Sequence, residues 1–120
     1  MAALGPGSNA FWTQETVTLT TERRLSSLWV TIRVARARGI DPNGVLVTLP
    51  QRDVMVTMRE RDGVLNYQFV LRRGETVPRG RWTFAVQYRH SGARHDSSLD
   101  TYSVNATAVG GTDVRLHGHF

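Results

Sequence analysis

The chain has no cysteine and no lysine. Without cysteine there is neither a disulfide frame nor a thiolate metal site. That absence leaves the compartment open, because a domain of 120 residues stands without covalent staples in an oxidising environment too. All 15 basic residues are arginine, which reads as the codon bias of a GC-rich genome and carries no information about partners. No apolar run approaches the ~20 residues that span a bilayer, and the first residues lack the basic and apolar regions of an export signal. A membrane partner is therefore not expected. Nowhere does an apolar stripe of period 3.6 persist for three turns, so helices are not expected either.

Catalytic signatures are equally scarce. A serine nucleophile elbow, Gly-x-Ser-x-Gly, does not occur. No Gly-x-Gly-x-x-Gly or Walker loop follows an apolar run. His90 and His95 share a polar loop with Asp96 and Asp100, and His117 and His119 bracket Gly118. Imidazole and carboxylate suit several divalent ions, yet these spacings match no established ligand pattern, and they read as solvated loop polarity. The acids Asp96 and Asp100 read as turn residues. The expectation is a protein that is not an enzyme, with no cofactor and no metal.

What the chain does contain is alternation. Its length suits one domain able to bury roughly two-thirds of the surface its unfolded form exposes. From Glu15 to Ala108 apolar and polar residues repeat with period two, the signature of half-buried strands. Seven strands follow: residues 15–20, 26–35, 44–49, 53–59, 64–71, 81–89 and 100–108. The third follows the turn signal "DPNG" at residues 41–44 and turns Val45, Val47 and Leu49 to one face; the fourth carries Val54, Val56 and Met58 inward. Asp62-Gly63 is the preferred chemistry of a tight hairpin. A short edge strand through Val114 and Leu116 would be the eighth. Seven or eight antiparallel strands separated by turn signals predict an all-β, two-sheet antiparallel β-sandwich of immunoglobulin-like type, each sheet with one dry and one wet face. The opening "MAALGPGSNA" is small and glycine-containing, so residues 1–12 read as a flexible leader or linker and residues 13–120 as the single domain.

Three tryptophans offer openings toward function. Trp82 shares a face with Phe84 and Val86 and reads as core; Trp12 follows Phe11, where an aromatic pair can plug the end of a sandwich or meet a ligand. In "SSLWVTIRVA" the inward stripe is Leu28, Val30, Ile32 and Val34, which leaves Trp29 on the wet face beside Thr31 and Arg33. An indole there can stack on the apolar face of a sugar ring while polar neighbours bind its hydroxyls. Two other readings stay open: stacking on a nucleobase, or cover by the "NAFW" arm and by arginine stems. The formal charge of +5 favours anionic partners in general. The arginines scatter over turns and strand ends, whereas a nucleic-acid module interleaves clustered basic groups with aromatics, so no nucleic-acid partner is expected. Asn105-Ala106-Thr107 has the form of a glycosylation acceptor but lies inside an expected strand.

From Thr16 onward the strand rhythm, with phrases such as "PRGRWTFAVQY" and "DTYSV", resembles the small β-sandwich modules of secreted actinobacterial proteins, of cellulose-binding or immunoglobulin-like type. That resemblance implies an extracellular or cell-surface, non-catalytic module that binds a polysaccharide or cell-wall polymer. Established cellulose binders present several coplanar aromatics, whereas here only Trp29 points outward, and the arginine load is unusual for a neutral glucan. The ligand-binding residues expected are Trp29, Thr31, Arg33 and Trp12. The competing class is a structural domain of a surface fibre, appendage or phage particle that contacts neighbouring protein copies.

Overall fold

A computed structural model of the chain describes residues 2–4, 12–35, 41–89, 100–111 and 113–120. Among them the alternating segments form nine strands: β1 (Ala2–Leu4), β2 (Trp12–Thr21), β3 (Leu25–Ala35), β4 (Asp41–Val47), β5 (Val54–Arg61), β6 (Val64–Leu71), β7 (Gly80–Arg89), β8 (Thr101–Ala108) and β9 (Asp113–His119). A single 3₁₀ turn, Gln51–Asp53, leads into β5. The strands build two sheets, ordered β1-β2-β7-β4 and β5-β6-β3-β8-β9, and every pairing is antiparallel. This is the expected immunoglobulin-like β-sandwich.

Period two puts the core between the sheets. On β6 the alternation is complete, with Leu65, Tyr67, Phe69 and Leu71 buried. They pack with Val30, Ile32 and Val34 of β3 and with Phe84, Val86 and Tyr88 of β7. Phe69 and Phe84 join the two sheets edge to face, with ring centroids 5.6 Å apart, an arrangement that adds to their area burial. Trp82 packs partly buried against this cluster, and its Nε1 donates to the Pro78 carbonyl at 2.8 Å. At the β5–β6 hairpin Asp62 and Gly63 both take positive φ, 52° and 74°, the conformation a type I′ turn requires.

Three local expectations change. Asp41 and Pro42 do not turn but pair with Arg89 and Tyr88 inside β4, and the register shifts before Gly44. An edge strand tolerates both a proline and a bulge. On β5, Val56 and Met58 lie in the inner-face register, opposite Phe69 and Tyr67, yet are 38% and 45% exposed. Val45 of β4 also remains exposed. Both strands are sheet edges, where the facing sheet covers them incompletely. Within the leader, Ala2–Leu4 pairs as a strand with Glu15 to Val17. The segment before β7 is anchored to β3: Val77 is buried and exchanges two backbone hydrogen bonds with Leu25, 2.8 and 2.9 Å long.

Candidate functional site

Strand register organises the outer face of the five-stranded sheet into rows that run across the strands. Side chains in one row stand ~4.8 Å apart from strand to strand, and successive rows on one face are ~6.7 Å apart. The first row is Met55, Val70, Trp29, Asn105 and Arg115. The second is Thr57, Gln68, Thr31, Ser103 and His117, and the third is Arg59, Asn66, Arg33, Thr101 and His119. The first row is apolar on one side of the indole and polar on the other. Every side chain of the second is able to hydrogen-bond, and none is a carboxylate.

Trp29 is 48% exposed, on the outer face that its parity on β3 selects. It walls a pocket of about 360 Å³ whose polar lining includes Ser27, Asn105, Thr107, Asp113 and Arg115. Asp113 is oriented by the Thr107 hydroxyl, which donates to its Oδ1 at 2.9 Å. An apolar ring thus sits beside a carboxylate, an amide, hydroxyls and a guanidinium, which together accept and donate hydrogen bonds as a polyhydroxyl ligand demands.

The expected site residues fare differently. Arg33 is exposed, four residues along β3 from Trp29 and therefore ~13 Å away. Thr31 holds the outer-face register but is only 4% exposed, because the row-mates Gln68 and Ser103 flank it at the centre of the sheet. Its hydroxyl is part of the platform's interior, not of its wet surface. Trp12 opens β2 in the other sheet; its side chain lies outside the described residues. The two tryptophans are therefore not brought onto one sheet. Asn105, Arg115 and Asp113 were not among the expected ligand residues. Their signal was cross-strand pairing, which a single strand's alternation does not reveal.

The histidine loop falls mostly outside the described residues, with His90, His95 and Asp96. Asp100 is described and fully buried. Its Oδ1 accepts from the Ala35 backbone N–H at 2.7 Å. Glu15, also fully buried, accepts a hydrogen bond from the Tyr88 hydroxyl. Burial pushes the Glu15 carboxyl up to about 10; the hydrogen bond that its protonated form donates to Asp100, and the charge of Asp100, push the same way, and the Tyr88 bond opposes them. A perturbed acid marks a catalytic site when it lines a cleft, but Glu15 is sealed in the sandwich. Among the described residues no three histidine, aspartate or glutamate side chains are grouped to hold a metal.

No protein-family model matches the chain, and no curated protein matches it in sequence. Solved structures do match its fold. Domains D2 and D3 of the major pilin SpaD from Corynebacterium diphtheriae align with a TM-score of 0.65 at 13% identity over 97% of this chain. The chain spans about half, 48%, of that pilin chain. A non-cellulosomal cohesin from the hyperthermophilic archaeon Archaeoglobus fulgidus aligns with a TM-score of 0.52 at 12% identity, covering 93% of this chain and 80% of the cohesin. At such identities the likeness is one of fold. No helix is long and apolar enough to cross a membrane among the described residues.

Proposed function

We propose that the chain is a non-catalytic binding module of the cell surface or extracellular space, taking a polysaccharide or cell-wall polymer on the outer face of its five-stranded sheet. The carrying observation is the Trp29 pocket, where a half-exposed indole stands beside Asn105, Arg115 and Asp113. A pyranose ring stacks on the indole, and its hydroxyls exchange hydrogen bonds with the polar wall. Arg33 extends the surface along β3, while Thr31 holds the rows together from within. The test is sedimentation with insoluble cellulose, chitin and peptidoglycan. Depletion of the native chain by one of these, lost in Trp29→Ala, supports the reading; equal depletion of both chains, or none, removes it.

A second reading is self-assembly into a surface fibre, favoured by a separate observation. Val45 and Leu46 of β4, with Met55, Val56 and Met58 of β5, make up most of the large apolar side chains left exposed among the described residues. Unpaired sheet edges with apolar side chains invite a second copy of the chain. Light scattering that rises with protein concentration, without polysaccharide, and falls in Met58→Lys supports it. A monomer at every concentration argues against it.

A further inference from the structure

The rows of the outer face also define the chemical class of the ligand, an inference that rests on the binding reading above. Fifteen side chains form the three rows, and none is a carboxylate. Arg33 and Arg59 stand in one row on either side of Asn66, two strand spacings or ~10 Å apart. Arg115 closes the Trp29 row on the opposite flank. These three guanidiniums make no ion pair among the described residues. Of the described acids, Asp113 continues the same outer face one row beyond Arg115, in the Trp29 pocket, where it accepts from Thr107; Asp62 lies in the hairpin turn beside Arg61, Glu60 in the inner-face register of β5, and Glu15 and Asp100 inside the sandwich.

We infer that the face takes an anionic polyhydroxyl chain, with a sugar or polyol unit at Trp29 and the repeating anions on Arg33, Arg59 and Arg115. A planar guanidinium fork matches a carboxylate or a phosphodiester in two parallel hydrogen bonds. A neutral glucan meets such forks only through hydroxyl oxygens, without the charge-assisted, two-bond match. Between the charged flanks lies the row of Thr57, Gln68, Ser103 and His117, which serves hydroxyl groups. Nucleic acid would also bring repeating anions, but single-stranded bases need a series of stacking rings, and these three rows offer one indole, Trp29, with the imidazoles of His117 and His119 two strands away on the edge strand β9.

Affinity electrophoresis through gels containing soluble polymers tests this. Polygalacturonate supplies carboxylates, poly(glycerol phosphate) supplies phosphodiesters, and fully methyl-esterified polygalacturonate supplies the first backbone without charge. The expected result is retardation by at least one anionic polymer, weaker by roughly tenfold or more in the Arg33→Gln/Arg59→Gln double variant. The control is Arg81→Gln/Arg89→Gln, which has the same net charge and changes exposed arginines of β7 in the other sheet; it should stay close to the native chain. Equal weakening of the two double variants would mean attraction by net charge alone and overturns the inference. If the methyl ester or an insoluble neutral polysaccharide binds as well as the polyanions, with Trp29→Ala abolishing both, the binding reading stands and the anionic class is wrong. Tighter binding of oligothymidylate than of any polysaccharide overturns the inference in favour of nucleic acid. Failure of every polymer, soluble or insoluble, removes both readings together.

Discussion

The Tyr88 hydroxyl donates a hydrogen bond to Glu15 inside the sandwich, where both side chains are fully buried. Desolvation, reinforced by Asp100, favours the protonated form of Glu15. Its folded value near 10 stands above the ordinary 4.5, so the folded state holds a proton that the unfolded state releases between these limits. Stability is therefore highest below about pH 4.5 with respect to this group and falls as pH rises toward 10. The slope is at most about 1.4 kcal/mol per pH unit for one proton. Glu15→Gln keeps an acceptor for Tyr88 and removes the titration. Thermal melts from pH 4 to 9 should show the native midpoint falling from about pH 5 upward, while that of the variant stays flatter and lies higher at the alkaline end. Parallel curves for the two proteins would show that Glu15 does not carry the dependence.

Much of this arrangement was legible in the chain, and Glu15 marks where reading along single strands ended. The period-two count that puts Val17 and Leu19 in the core puts Glu15 there as well, and a carboxylate at a core position signals a buried partner. The partner, Asp100, comes from beyond a long polar loop, and no local pattern connects the two. Trp29 was legible because burial on β3 alternates from Ser27 to Val30. Thr31 was misread because outward parity does not ensure exposure at the centre of a five-stranded sheet. The exposed Val56 and Met58 have the opposite cause: inward parity does not ensure cover at an edge. Both outcomes depend on strand order, which lies in long-range pairing.

Phe69 and Phe84 link the two sheets by direct ring contact. Both are fully buried, and each is the other's edge-to-face partner. Truncation of Phe69 to alanine removes that contact and leaves a cavity, at a cost of about 3–5 kcal/mol. Urea denaturation should show a correspondingly lower midpoint with the slope unchanged. A loss below about 1 kcal/mol would mean that the sheets close over the gap.

Gly118 faces Tyr102 across the β8–β9 pair. A side-chain carbon at position 118 would lie 2.8 Å from the Tyr102 hydroxyl oxygen and 2.9 Å from Cε1. The ring is also held by Phe120, edge to face at 5.7 Å, so moving it breaks a second contact. Gly118→Val should destabilise the chain by about 1–3 kcal/mol, as overpacking does. Gly118→Val combined with Tyr102→Ala should lose less than the sum of the single changes, because the clash is then gone. Additive losses would place the strain elsewhere on β9.

Trp29 separates recognition from stability. Its ring is 48% exposed and flanked in its row by Val70 and Asn105, so its removal forfeits only part of an aromatic's burial. Trp29→Ala should lower stability by about 1 kcal/mol, well short of the ~3–5 kcal/mol of a buried aromatic. Unfolding curves of the variant and the native chain should therefore lie close together, while depletion by an insoluble polysaccharide disappears. A loss comparable with that of Phe69→Ala would instead make the indole a structural part of the sheet, and the vanished binding would then reflect unfolding, not a missing stacking surface.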